Sequence, residues 1–188
     1  MNNISGESER LKRLIKNFLD ITRIEKGIKK YNFQRINLRE VVNSVINAME
    51  YEIEKNKFNL LTKIPDNDIF INADSEAIEQ IIIHLISNSI KYSGEKKKIE
   101  IKLEEKESEV VLSVKDSGIG IDKPEIDKIF DTNYRTGKEE SDKSTGIGLS
   151  LVRHIINAHD ARIKVDSKPG KGSTFIVSFK KDNGIINT

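Results

Sequence analysis

The sequence predicts an α/β sandwich built on a mixed sheet and preceded by a separate N-terminal helix. Three observations lead there. Segments with apolar residues at every third or fourth position are interleaved with short segments in which every second residue is apolar. Two of the short segments are joined by the charged turn EEKES, as in a hairpin with one buried face. The 188 residues suffice for one full domain and an appended element, and not for two large domains.

From Ser8 to Lys26 the apolar residues Leu11, Leu14, Ile15, Phe18, Ile21 and Ile24 follow the spacing of an amphipathic or coiled-coil helix, with Gly27 as its stop. This narrow seam is expected to pack on another helix, from a second copy or from its own domain. Asn37 and Glu40 have the spacing of a capping box, and Leu38, Val41, Val42, Val45, Ile46, Met49 and Ile53 line one face of a second helix ending near Asn56. FNLLTKI and DIFINA read as short strands. Asp74 is placed to cap a third helix whose apolar face is Ile78, Ile81, Ile82, Leu85 and Ser89. Ile99, Ile101 and Leu103 alternate with polar residues, as do Val110, Leu112 and Val114, and these two strands form the hairpin. Ile147 to Ala158 reads as a helix, and RIKVDS and STFIVSF as a last strand pair around Pro169, Gly170 and Gly172.

Composition narrows the function classes. Thirty-two Lys and Arg against 30 Asp and Glu give a formal charge of +2, so charge offers no reason to expect a nucleic-acid or membrane-surface partner. The Lys96 to Lys98 run reads as a solvated turn. The absence of cysteine rules out disulfides and thiolate metal sites and fits a cytoplasmic setting. No stretch approaches the roughly 18 consecutive apolar residues of a membrane span, and any membrane anchor is expected outside this chain.

Three segments carry candidate chemistry. His84, Asn88 and Lys91 recur at i, i+4 and i+7 on the third helix, a polar stripe opposite the isoleucines. If the stripe lines a nucleotide cleft, the Asn88 amide oxygen can ligate Mg²⁺ and Lys91 can answer phosphate charge. In VKDSGIGI a strand ends at Asp116 and enters a turn with Gly118 and Gly120, which are read as letting the backbone approach a ligand. A carboxylate there could accept a hydrogen bond from an adenine amine. In STGIGLSLV, Thr145, Gly146 and Gly148 open a helix whose free amides attract anions. Between these last two lies the polar run Asp131 to Thr145, suited to a lid, with Arg135, Lys138 and Lys143 able to close on phosphates. Each segment alone also fits an ordinary solvated surface.

Together the segments resemble a family, the GHKL ATP-binding domains of two-component sensor histidine kinases. HLISNSIKYS is similar to the N box, DSGIGI to the first glycine box, IFDTNYR to the F box, STGIGL to the second glycine box and GKGSTF to the last box, in that order. The resemblance spans roughly residues 32 to 182. ERLKRLIKNFLDITRIEKG resembles the second helix of the family's dimerisation and phosphotransfer stalk. It implies a Bergerat-type two-layer sandwich with a mixed five-stranded sheet and three helices, behind a stalk helix. The implied division is 1–31 partial stalk, 32–182 catalytic domain and 183–188 tail.

By the same resemblance the cofactors are ATP and Mg²⁺, with Asn88 the metal ligand and Asp116 the adenine reader. Lys91 and Tyr92 would flank the nucleotide, Ile121, Tyr134 and Leu149 would line the cleft, and Gly118, Gly120, Thr145, Gly146 and Gly148 would shape it. Arg135 would reach the terminal phosphate and share the catalytic role with Asn88. Thr174 would support the adenine contact. The implied partners are the parent kinase's phospho-acceptor helix, a response regulator and a second copy through the stalk. None of His84, His154 and His159 stands in the family's acceptor context, so the acceptor histidine is expected outside this chain. His154 and His159 read as structural.

Two positions depart from the pattern: His84, where many members have Asn, and Asn133, where the F box has a second aromatic. An ATP-hydrolysing relative would need a Glu one turn before Asn88, where this chain has His84. A nucleotide-binding signalling module without catalysis is the other alternative. No GxxxxGK[ST] motif or complete GxGxxG follows a strand, which removes the P-loop and Rossmann classes.

Overall fold

The computed structural model describes residues 15, 19, 20, 22–24, 26–132, 134, 147–182 and 184. The N-terminal helix stops at Gly27, where the Gly27 and Ile28 amides donate back to the Ile24 (2.8 Å) and Arg23 (2.9 Å) carbonyls in a Schellman closure. Of the expected seam, Leu11, Leu14, Phe18 and Ile21 lie outside the described residues, Ile15 is exposed, as is its neighbour Leu19, which the seam did not include, and Ile24 packs on the core.

The domain proper runs β1 (Gln34–Asn37), α1 (Leu38–Lys55), β2 (Asn59–Lys63), β3 (Phe70–Ala73), α2 (Ser75–Tyr92), β4 (Lys98–Glu105), β5 (Glu109–Asp116), α3 (Gly148–Ala158), β6 (Arg162–Lys168) and β7 (Gly172–Lys180). Two 3₁₀ turns, Lys123–Glu125 and Lys128–Phe130, lie between β5 and α3. The main sheet has five strands in the order β2-β4-β5-β7-β6, with β2 parallel to β4 and the remaining pairs antiparallel. It is therefore mixed, as read from the sequence. Strand β1 was not anticipated; it pairs with β3 in a separate two-stranded sheet.

The core lies between one face of the main sheet and the helices. Ile99, Ile101, Leu103, Val110, Leu112, Val114, Phe175, Val177 and Phe179 point inward from the sheet and meet Ile78, Ile81, Ile82 and Leu85 of α2, Val42 and Val45 of α1, and Leu151 and Ile155 of α3. Burying each such side chain contributes about 1.5–3 kcal/mol relative to exposure, so the alternation of apolar residues in the strands selects which face closes.

Asp74 caps α2, accepting from the Ala77 amide at 3.0 Å. The capping box expected at Asn37 does not form. The β1–β3 pairing brings residues 68 and 69 beside Asn37, whose Nδ2 donates to Asp68 (2.8 Å) and whose Oδ1 accepts from the Ile69 amide (3.3 Å). A long-range partner has taken the capping oxygen. Among the described residues no helix is long and apolar enough to cross a membrane.

Candidate functional site

The end of α2 meets the exit of β5. The Ile119 amide donates to the Tyr92 carbonyl at 3.0 Å, and a Cβ on Gly118 would lie 2.1 Å from the same oxygen. Any larger residue at 118 would drive the helix end and the turn apart. The glycines of this turn thus allow close contact between protein backbones. Gly120 likewise sits where a Cβ would lie 2.2 Å from the Lys168 carbonyl.

At the last inward position of β5 is Asp116, 5% exposed. Its Oδ1 accepts two amides, Gly118 at 2.8 Å and Ser173 at 3.1 Å. Burial pushes the carboxyl above its ordinary value, although bonds from the Gly118 and Ser173 amides and from its own amide pull the other way. A carboxylate held against its desolvation cost and bonded at one oxygen is prepared to accept a further hydrogen bond.

His84, Asn88, Lys91 and Tyr92 are all half-buried along one side of α2. The Lys91 ammonium lies 2.8 Å from the Tyr92 hydroxyl and 4.5 Å from its ring centroid. At the other end of this stripe a Cβ on Gly148 would lie 3.2 Å from His84 Nδ1, so the start of α3 rests against α2. Ile147, at the N-cap position of α3, supplies no side-chain oxygen to the first-turn amides. The stripe therefore runs between Asp116 at one end and the α3 N-terminus at the other, which suits a ligand with a base and a string of phosphates.

Leu149 and Tyr134 are partly buried against the core, with the Tyr134 hydroxyl 3.4 Å from Glu125. The Ile121 amide donates to Ser167 Oγ at 2.8 Å. Arg135, Thr145 and Gly146 lie outside the described residues, as do Asn133, Lys138 and Lys143.

Thr174 is the one described candidate that the structure places away from the others. It pairs with Lys115 across β5 and β7, on the face opposite Asp116, because side chains alternate along a strand. Ser173, one position earlier, takes the inward place and bonds Asp116. Ser173 and Ser167 were both missed. They oppose each other across β7 and β6, where the inward pairs change from Val165 and Phe175 to two serines; a polar residue at an inward strand position was the available signal.

A cavity of about 400 Å³ opens elsewhere, between the N-terminal helix and the first turns of α2, with Asp20, Lys29, Tyr31 and Asp74 in its wall. Asp20 is buried there, paired with Lys29 (2.7 Å) and accepting from Gln80 (3.2 Å). Its polar groups serve the junction between helix and domain, so the nucleotide-shaped arrangement is the one at Asp116. His159 is structural, as read: Nε2 accepts from the Asp74 amide (3.1 Å), and Nδ1 donates to the Ile155 carbonyl (2.8 Å).

Comparison with known proteins gives a consistent picture. Residues 73–183 match the profile of the family described as "Histidine kinase-, DNA gyrase B-, and HSP90-like ATPase". The sensor histidine kinase WalK of Bacillus subtilis (strain 168) is 32% identical over 183 residues, covering 94% of this chain and 30% of that protein. The chain therefore spans under a third of that relative's length. Among solved structures, the catalytic domain of histidine kinase ThkA superposes with a TM-score of 0.71 at 31% identity, over 80% of this chain and 98% of that one. ThkA solved in complex with response regulator TrrA gives 0.73 at 28% identity, over 98% of this chain and 51% of that one.

Proposed function

Because the chain belongs to the family of histidine kinase-, DNA gyrase B- and HSP90-like ATPases, as a histidine kinase catalytic domain, we propose that it binds Mg²⁺-ATP along the α2 stripe and that its parent protein donates the γ-phosphoryl group to a histidine outside residues 1–188. The observation that carries the reading is Asp116: buried, bonded twice at Oδ1, and set at the convergence of β5, β7 and the end of α2. Its Oδ2 would accept from the adenine amine, with Tyr92 and Ile121 beside the base.

The donor set fits a nucleotide-borne Mg²⁺ rather than a metal cage. Among the described residues there is no group of three or more His, Asp or Glu able to hold an ion. Asn88 offers one amide oxygen, and Mg²⁺ takes most of its ligands from phosphates and water. Bound metal supplies charge neutralisation at the phosphates. Lys91 and Arg135 would add positive charge, His84 would contact metal or phosphate as a neutral imidazole, and the α3 amides, with Thr145, Gly146 and Gly148, would take phosphate oxygens. Catalysis is then positioning and charge stabilisation by Asn88 and Arg135.

Residues 1–31 would form part of a dimerising stalk, 32–182 the catalytic domain and 183–188 a tail. The partners would be the acceptor helix of the parent kinase, a response regulator and a second copy, in the cytoplasm. His84 at the position one turn before Asn88 favours transfer over hydrolysis, which needs a carboxylate base there.

Calorimetric titration with Mg²⁺-ATP tests the reading on the native chain and on Asp116→Asn and Asn88→Ala, followed by addition of a stalk bearing an acceptor helix. Both substitutions should weaken binding, and acid-labile phosphate should appear on the stalk. A native chain that binds no nucleotide would overturn it.

A further inference from the structure

Across the inner face of the main sheet, successive rows are apolar until the end nearest the cleft. Leu112, Val177 and Ile163 form one row through β5, β7 and β6, and Val114, Phe175 and Val165 form the next. The row beyond is Asp116, Ser173 and Ser167. The two serines replace apolar contact with directional bonds at the place where Asp116 must be aimed.

We propose that Ser167 is a positioning residue for base recognition, fixing the direction of the Asp116 carboxylate through the two backbone segments that bond it. The proposal rests on the reading of Asp116 as the group that meets the base. Ser167 Oγ lies 2.8 Å from the Ile121 amide, 3.0 Å from the Gly172 carbonyl and 2.9 Å from Ser173 Oγ. One hydroxyl proton and two lone pairs account for all three contacts. The proton goes to Gly172, and the lone pairs accept from Ile121 and from Ser173.

The two segments held this way are the ones that hold Asp116. Gly118 in the turn 117–121 and Ser173 at the start of β7 donate the amides received by Oδ1. Gly172 is fixed as well: its φ is +86°, and a Cβ there would lie 2.2 Å from the Asp116 carbonyl. Ser167 thus ties the turn to the strand from the far side of β7, without touching the cleft. A backbone bond from the Gly170 amide to the Ile119 carbonyl (2.7 Å) joins the same two segments nearer their tips, so losing the Ser167 hydroxyl should loosen the aim of Asp116 and not detach the turn.

The experiment compares native chain, Ser167→Ala, Ser167→Thr and Ser167→Cys by calorimetry with Mg²⁺-ATP and with Mg²⁺-GTP, alongside hydrogen exchange at the Ile121 amide. A hydroxyl that satisfies part-buried partners is worth roughly tenfold in an equilibrium. Ser167→Ala should weaken ATP about tenfold while weakening GTP less, so the preference between bases narrows and Ile121 exchanges faster. Ser167→Thr, which keeps the hydroxyl, should restore affinity, preference and protection. If the alanine variant does not fold, Ser167→Cys, close in volume and weak in hydrogen bonding, should shift all three in the same direction. An ATP affinity and a base preference both within about twofold of native would overturn the proposal, as would equal losses for the two nucleotides. Binding of neither nucleotide by the native chain would overturn the nucleotide reading itself, and this assignment with it.

Discussion

An aspartate stands at each end of α2, and the two differ in what their bonds leave over. Asp74, at the start, uses both oxygens within the chain: Oδ1 accepts from the Ala77 amide at 3.0 Å and Oδ2 from the Asn32 amide at 2.7 Å. Its own amide donates to His159. Asp116, beyond the other end, receives the Gly118 and Ser173 amides on the same oxygen, Oδ1. One carboxylate has both oxygens engaged by the fold, and the other is held through Oδ1. Residue type does not separate a structural aspartate from a binding one; an oxygen left unengaged in a desolvated place does.

The largest expected effect comes from Asp116→Asn. The variant keeps an oxygen for the two amides but presents N–H donors where the adenine amine also donates. ATP affinity should fall about a hundredfold, close to 2.7 kcal/mol. Stability should move the other way. Burial raises the Asp116 carboxyl, so the folded chain holds that proton more tightly than the unfolded chain, and native stability is lost as pH rises from the ordinary carboxylate value of about 3.9 through the raised folded value. The asparagine variant lacks this loss and should melt above native at pH 7, with the gap closing near pH 4. Thermal melts at both pH values read it out, and a variant melting well below native at pH 7 would make Asp116 as structural as Asp74.

Asp74→Ala is the counterpart. It removes the α2 cap and the anchor of Asn32, and should cost about 1–2 kcal/mol in denaturant unfolding. ATP affinity of the folded fraction should stay within about twofold, because no bond of Asp74 reaches the Asp116 end. A large affinity loss here would mean that the two ends of α2 are coupled and that the contrast between them fails.

Much of this was legible in the sequence because periodicity reports burial directly. The inward residues of α1, α2 and β4 to β7 match their spacing, and the Asp74 cap was read from position alone. What escaped depends on contacts distant in sequence. Strand β1 is four residues long with one buried side chain, Ile36, too short to show alternation. Asn37 has a capping sequence but bonds residues 31 and 32 positions away. The choice between Ser173 and Thr174 is a matter of register: the inward phase set by Phe175, Val177 and Phe179 falls on 173, and carrying that phase back two residues would have identified it. The glycine turns were found by composition, while their backbone contacts with Tyr92 and Lys168 needed the fold.

The smallest expected effect distinguishes the two ends by the sign of their pH dependence. His159 lies 5.1 Å from the Tyr31 ring centroid and 4.6 Å from that of Phe33, and its Nε2 accepts the Asp74 amide, so only the neutral ring with the proton on Nδ1 satisfies both of its bonds. Burial, the leading cause, lowers its pKa, while the Ile155 bond and the Asp74 charge oppose the shift. A lowered folded value means that the unfolded chain binds the proton first. The contribution of His159 is complete above the ordinary value of about 6.5 and is lost as pH falls from there through the folded value. Acidification from pH 7.5 to 5.5 should therefore lower the melting temperature by a few degrees, and His159→Phe, which keeps the ring contacts and cannot titrate, should flatten that part of the curve while leaving the Asp116 dependence at lower pH in place. Melts of the two proteins across this range separate the contributions: an unchanged slope in His159→Phe would show that His159 does not carry the dependence, and the opposed pH signatures of the two ends would be lost.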